Sequence, residues 1–191
     1  MRPWLNWIEH LATDQKVAGS TPAGRMVKSK RRVDMTAVVI YYSRSGTTKE
    51  MAKIIQNEIK ENGINTDLFS VSDFKAKQFL NYDGIIIGSP TYYGTLSAEI
   101  KMLLDESVSF HGKLDGKLGG AFSSAANIAG GNETTILSIL EAMLIHGMII
   151  QGDPKGDHYG PVAIGKIDKR CEENCRRYAQ RFAELLKQRK I

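Results

Sequence analysis

Residues 37–51 have the sequence AVVIYYSRSGTTKEM. The apolar run from Ala37 to Ile40 is typical of a buried β-strand. Apolar residues that recur at helical spacing from Met51 predict an α-helix directly afterwards. A strand, a short turn and a helix in this order predict one unit of an α/β fold.

The turn between that strand and helix, Ser43 to Thr48, carries four hydroxyl side chains and one glycine. Thr47 and Glu50 fit a capping box, which predicts that the helix starts at Thr47. A helix N-terminus presents free N–H groups and the positive end of the helix dipole, so the turn is suited to a phosphate group. The alternative is an ordinary capped turn between a strand and a helix.

The alternation of strand and helix continues along the chain, which predicts a parallel sheet with helices on both faces and right-handed crossovers. Five strands in this order predict a flavodoxin-like three-layer α/β/α sandwich, with a five-stranded parallel sheet of order 2-1-3-4-5. The second strand is less apolar than the others, which places it near an edge. The strands after the first are predicted at residues 64–69, 84–88, 118–122 and 148–150, with a short helix over 74–80 and longer helices from Ser97, Asn132 and Asp168.

The net charge of the chain is +5, but most of it lies near the N-terminus. Residues 1–35 hold seven Lys and Arg against three Asp and Glu, which leaves 19 against 18 in residues 36–191. A nucleic-acid surface needs clustered positive charge, so we expect no nucleic-acid partner. No apolar run is long enough to span a membrane, and the N-terminus lacks the apolar core of a secretory signal. Two cysteines do not make a disulfide framework, so we expect a reducing, cytoplasmic location.

Residues 1–34 show no sustained hydrophobic period, and we expect them to be disordered. Codons for residues 7–25 can be chosen so that they resemble part of a transfer-RNA gene. Codons for Lys30 to Arg32 can likewise form a ribosome-binding sequence before Met35. We therefore expect residues 1–34 to be a non-native extension and residues 35–191 to form the single functional domain.

In a sheet of this order, ligands bind beyond the carboxyl ends of the strands, where the strand order reverses. Three loops meet there, Ser43–Thr48, Pro90–Gly94 and Ser123–Gly131. The first loop matches neither the P-loop nor the dinucleotide motif. The second offers two tyrosine rings for stacking, and the third offers small residues that allow close backbone approach. A flat, phosphorylated ligand with polar edges matches flavin mononucleotide (FMN); the alternative is that the two tyrosines only cover the sheet edge.

Five separated motifs carry a family resemblance that spans about Val38 to Gly165. They are Tyr41-Tyr42-Ser43, Gly88-Ser89-Pro90-Thr91, Gly112-Lys113-Leu114-Asp115-Gly116-Lys117, Gly131-Asn132-Glu133-Thr134-Thr135 and His146-Gly147-Met148. Together they resemble the WrbA-type NAD(P)H:quinone oxidoreductases of the flavodoxin-like family. The resemblance implies FMN as cofactor, NADH or NADPH as co-substrate, and two-electron reduction of a quinone or another small electron acceptor by a homodimer or homotetramer.

The resemblance also implies site residues. His146 is implied to lie beside the flavin as a hydrogen-bond donor or proton source, with a polar residue at a helix C-terminus as the alternative. Phe110 is implied to contact the second substrate, and Tyr159, in a glycine-flanked loop, is a further candidate with a surface loop as its alternative. The implied FMN-binding residues are Ser43, Arg44, Ser45, Gly46, Thr47, Thr48, Pro90, Thr91, Tyr92, Tyr93, Gly94, Ser124, Ala125, Ala126, Asn127, Gly130, Gly131 and His146.

The chain departs from that family pattern in two places. It lacks the insertion before the third strand, and the region after the fifth strand, Gln151 to Pro161, is shorter. Smaller FMN reductases, and flavodoxin-like carriers that pass electrons to a protein partner, are therefore alternatives. Such carriers usually have a strongly acidic docking face, whereas residues 36–191 are nearly neutral, which favours the enzyme.

The two cysteines, Cys171 and Cys175, lie four residues apart on the predicted last helix. We expect them to be packed as apolar residues. Neither has a further Cys or His at zinc-like spacing, so no metal site is predicted.

Overall fold

The computed structural model describes residues 35–189, so the extension predicted for residues 1–34 lies outside the described residues. The strands are β1 (Thr36–Tyr41), β2 (Asn65–Ser70), β3 (Gly84–Pro90), β4 (Leu118–Ala125), β5 (Ile149–Ile150) and β6 (Val162–Ile164). The α-helices are α1 (Thr47–Glu61), α2 (Ala98–Glu106), α3 (Asn132–Ile145) and α4 (Lys169–Gln188). Short 3-10 helices lie at Val71–Asp73, Ala76–Asn81 and Ser107–Phe110.

The sheet has the order β2-β1-β3-β4-β5, with every pair of neighbouring strands parallel. This confirms the predicted flavodoxin-like order, including the edge position of the second strand. The order reverses between β1 and β3, which pair with each other although β2 lies between them in the chain. The carboxyl ends of β1 and β3 therefore flank the place where such sheets bind ligands.

A sixth strand was not predicted. β5 pairs with Leu118 and Gly119, and β6 pairs with Ser123 to Ala125, so both lie along the same edge of β4. The region from Gln151 to Pro161 therefore lies between two short edge strands, β5 and β6. It does not follow the last strand of the sheet. Only three residues return to the sheet as β6, too few for the sequence pattern to distinguish them from a loop.

The core is divided by the sheet into two layers. Because successive strand residues point to opposite faces, Ala37 and Val39 face α1 and α4, whereas Val38 and Ile40 face the side that α2 and α3 cover. Cys171 and Cys175 are fully buried in the first layer as free thiols, which confirms the predicted apolar packing. The two layers hold the strands rigidly, so the loops at the carboxyl edge start from fixed positions.

Candidate functional site

The first loop at the carboxyl edge connects β1 to α1. The helix begins at Thr47 as predicted, but its N-cap is Gly46, with φ 105°, and no side chain caps the first turn. The predicted capping box is therefore wrong. The Thr47 hydroxyl instead donates to the carbonyl oxygen of Gly165 at 3.0 Å, a contact with a residue 118 positions away in the chain.

Two of the four hydroxyls in this loop are already bound within the protein. Thr48 Oγ1 lies 2.9 Å from Ser124 Oγ in a buried pair, and Thr47 is bound as described above. Ser43 Oγ accepts a hydrogen bond from the Gly46 N–H at 3.1 Å, which leaves its own proton available. Ser45 is exposed. The loop therefore presents two hydroxyl donors and the uncapped first turn of α1, which is a donor set that fits a phosphate group, although Glu50 adds a carboxylate to that turn.

The second loop is a tight hairpin, Tyr92-Tyr93-Gly94-Thr95. The Tyr92 N–H donates to the Thr95 carbonyl at 2.9 Å, and the Thr95 N–H donates to the Tyr92 carbonyl at 3.2 Å. Tyr93 and Gly94 both have positive φ, at 50° and 80°, as the preferred two-residue hairpin turn requires. This turn leaves the Tyr93 side chain fully exposed at the hairpin tip.

The third loop follows β4, which extends to Ala125 and so includes Ser124 in the strand. The loop then runs through the exposed residues 126–130 and ends at Gly131, which has φ 104°. A Cβ atom at Gly131 would lie 2.6 Å from the Cα of Gly94, so glycine is needed where the second and third loops touch. Thr134 fastens this contact, because its hydroxyl donates to the Gly94 carbonyl at 2.5 Å.

The three predicted loops thus lie together at one edge of the sheet. A cleft of about 720 Å³ opens beside them. Four of its lining residues, Arg44 and Thr91 to Tyr93, belong to the predicted site. Four others were not predicted, although they follow directly after the second loop: Thr95, Leu96, Ala98 and Lys101.

His146 and Phe110 do not lie at the carboxyl edge of the sheet. The prediction that His146 lies beside the flavin, and Phe110 beside the second substrate, is therefore wrong for the site of the same chain. α3 starts beside the third loop and runs for 14 residues, so His146 at its C-terminus is about 20 Å farther along. Each helix of a parallel α/β fold returns the chain to the amino edge of the sheet, and ligands bind at the opposite edge. Phe110 is stacked on His146 there, with ring centroids 6.1 Å apart and planes at 21°.

The surroundings of His146 are those of a buried, neutral imidazole. The Ser107 hydroxyl donates to the Leu104 carbonyl at 2.6 Å, so Nε2 of His146 donates to Ser107 Oγ across 2.7 Å. Burial, together with the neighbouring His111, lowers the pKa of His146. This matches the alternative prediction of a polar residue at a helix end, where it connects α3 to the 3-10 helix after α2.

Tyr159 is half exposed and lies in the segment between β5 and β6. That segment is fastened to α4, since Asp157 pairs with Arg170 at 2.8 Å and Asp153 pairs with Arg177. The carboxylate of Asp157 also accepts from the Val162 N–H at 2.9 Å, which fixes the start of β6. Tyr159 therefore sits at the outer edge of the sheet, and among residues 35–189 no hydrogen bond or ion pair joins it to the three loops.

Comparison with known proteins supports the fold at the level of family. The flavodoxin family model matches residues 39–143. A flavodoxin of Clostridium saccharobutylicum is 39% identical over 162 residues, which cover 81% of this chain and 99% of that protein. An NAD(P)H dehydrogenase (quinone) of Cupriavidus metallidurans is 32% identical over 152 residues, which cover 68% of this chain and 76% of that protein. The structure of a flavodoxin, WrbA-like protein from Agrobacterium tumefaciens superposes with a TM-score of 0.69 at 25% identity, covering 82% of this chain and 99% of the other.

The fold and the chemistry of the three loops fit a phosphorylated, flat ligand at the carboxyl edge of the sheet. The chain belongs to the flavodoxin family. Family membership implies FMN as the cofactor. Among residues 35–189 no helix has the length and apolar character needed to cross a membrane, and no group of three or more metal-ligating side chains is present.

Proposed function

We propose that the protein is an FMN-dependent oxidoreductase that carries out two-electron, NAD(P)H-dependent reduction of quinones or related small acceptors. The observation that carries the proposal is the pair of available hydroxyl donors in the first loop, Ser43 and Ser45, beside the exposed ring of Tyr93. Similarity to an NAD(P)H dehydrogenase (quinone) supports the reaction class. Residues 36–191 carry nearly equal numbers of acidic and basic side chains. They therefore lack the strong charge that attracts a protein partner over a distance, which favours a small-molecule acceptor.

Each loop has a separate task in this proposal. The hydroxyls of Ser43 and Ser45 and the first N–H groups of α1 bind the FMN phosphate. The Tyr92–Gly94 hairpin lies along the flat ring, and the glycines at the end of the third loop allow the backbone to approach it. The chemistry that FMN supplies is acceptance of a hydride from a reduced nicotinamide and delivery of two electrons to an acceptor. The protein contributes position, hydrogen bonds and exclusion of water.

An electron carrier is the second candidate function. Its support is the 39% identity to a flavodoxin. Exposed apolar side chains at the carboxyl edge add to it, because Tyr93 and Ile128 stand at the tips of the second and third loops. Such a surface suits a protein partner that docks beside the cofactor.

A homodimer or homotetramer is proposed on a different surface. Val108, Leu144 and Ile145 are 69%, 57% and 71% exposed near the amino edge of the sheet, where a second copy would cover them. A cytoplasmic location is also proposed, because two cysteines do not make a disulfide framework. Light scattering on the purified protein measures the oligomer directly.

Anaerobic titration of the FMN-loaded protein separates the two functions. We expect NADH or NADPH to bleach the flavin absorption, and a quinone to restore it, at rates well above those of free FMN under the same conditions. Bleaching by dithionite but by neither nicotinamide would overturn the reductase and leave the carrier. The Ser45→Asp variant, which is expected to lose FMN, is the matched control. It shows how much of the bleaching comes from reduction of FMN that is free in solution.

A further inference from the structure

The cleft beside the second loop carries positive charge, part of it from Arg44, which also belongs to the loop proposed to hold the FMN phosphate. Two cations line it, Arg44 from the first loop and Lys101 from the first turn of α2, and no carboxylate does. Arg44 takes part in none of the ion pairs found among residues 35–189. The cleft therefore offers positive charge to a ligand that enters from solvent.

The other walls of the cleft are largely flat or apolar. Tyr92, Tyr93, Leu96 and Ala98 supply them, and the volume of about 720 Å³ lies within the range of sites for nucleotide-sized ligands. A ligand that satisfies both features has a planar or apolar body and at least one separate anionic group. A bare inorganic anion would leave the aromatic walls unused.

Two carboxylates of α2, Asp105 and Glu99, lie near the cleft. Asp105 pairs with Lys101 at 2.6 Å, but the two side chains are 59% and 62% exposed and four residues apart on one helix, an arrangement that contributes little and is easily exchanged for another partner. Glu99 lies close enough to Tyr42 to raise the pKa of the Tyr42 hydroxyl.

We infer that this cleft binds the 2′-phosphorylated adenosine half of NADPH, with Arg44 and Lys101 on the 2′-phosphate, so that the protein prefers NADPH to NADH. Basic side chains accommodate that phosphate in other nucleotide-binding folds, where NADH presents a hydroxyl group instead. The inference rests on the proposed reductase function, since only that function requires a nicotinamide. It places the co-substrate next to the Tyr93 ring and the FMN phosphate loop.

The test uses Lys101, because Arg44 also belongs to the FMN loop. Calorimetry on the FMN-loaded protein compares 2′,5′-ADP with 5′-AMP, which differ only in the 2′-phosphate. We expect 2′,5′-ADP to bind about tenfold tighter, and the Lys101→Ala substitution to remove most of that difference while 5′-AMP affinity stays within about twofold. Lys101→Arg should keep the preference. Lys113→Ala, at an exposed lysine near the amino edge, is the matched control and should change neither affinity.

Two results would overturn the inference: equal affinity of the two probes, or a preference for 2′,5′-ADP that Lys101→Ala leaves intact. Failure of the proposed function has a separate signature. If 2′,5′-ADP binds through Lys101 but neither nicotinamide bleaches the flavin, the cleft assignment stands and the reductase assignment falls.

Discussion

Thr48 Oγ1 lies 2.9 Å from Ser124 Oγ, and this buried pair joins the first turn of α1 to the end of β4. Thr48 is 1% exposed and Ser124 is 6% exposed, so water cannot readily replace either partner. The pair crosses β3, which lies between β1 and β4 in the sheet. It therefore fixes the first loop relative to the third loop.

Thr48→Val should destabilise the protein, because it keeps the side-chain shape and leaves the Ser124 hydroxyl buried without its partner. We expect a loss of about 1–2 kcal/mol in the free energy of unfolding, measured with urea at fixed FMN concentration. The double variant Thr48→Val/Ser124→Ala removes both groups and should lose less than the sum of the two single variants. Strict additivity would show that the two hydroxyls do not interact.

Ser45→Asp should abolish FMN retention, since a carboxylate in the first loop repels the phosphate and competes for the helix N-terminus. Ser45→Asn has nearly the same size without the charge and should retain FMN within about tenfold of the original affinity. Fluorescence titration of the flavin-free protein measures both. Equal affinities for the two variants would show that the FMN phosphate does not bind at this loop.

Tyr93→Gly should stabilise the fold and weaken the site. Tyr93 has φ 50°, a left-handed conformation that costs a side-chain-bearing residue about 1 kcal/mol, and its ring is fully exposed. We expect the free energy of unfolding of the flavin-free protein to rise by up to that amount, whereas FMN affinity falls because a ring contact is lost. Tyr93→Phe is the control: it keeps the ring and should keep the affinity. Unchanged FMN affinity in Tyr93→Gly would mean that the ring does not contact the flavin.

Stability should fall at acid pH through His146. Its pKa in the folded protein is lowered by burial and by His111, so below about pH 6.5 the unfolded chain binds the proton more readily than the folded one does. The free energy of unfolding is therefore expected to decrease as the pH falls below that value. His146→Gln keeps a donor for Ser107 and cannot titrate, so it should show a smaller decrease between pH 7.5 and pH 5.5.

The same variant tests the position of His146 relative to the flavin. Because His146 lies at the amino edge, we expect His146→Gln to leave FMN affinity and the flavin spectrum unchanged. A changed spectrum in a protein that is still folded would place His146 beside the flavin of a neighbouring copy.

The sequence by itself determined the strand order and the composition of the first loop. Apolar runs, helical spacing and turn residues are local signals, and each depends on neighbours within a few positions. These signals were enough to predict β1, β3 and β4, the edge position of β2, and the burial of the two cysteines of α4.

Only the tertiary structure decided which donors remain available and which residues share the cleft. Thr47 and Thr48 have hydroxyls in the right loop, but their partners are 118 and 76 residues away, so no local pattern shows that they are occupied. Lys101 lines the cleft because it lies in the first turn of α2, which starts directly after the second loop. His146 is excluded because α3 carries it to the amino edge before β5 begins. Hydrogen bonding and charge act through space between elements that only the packed sheet brings together, and sequence spacing does not contain those distances.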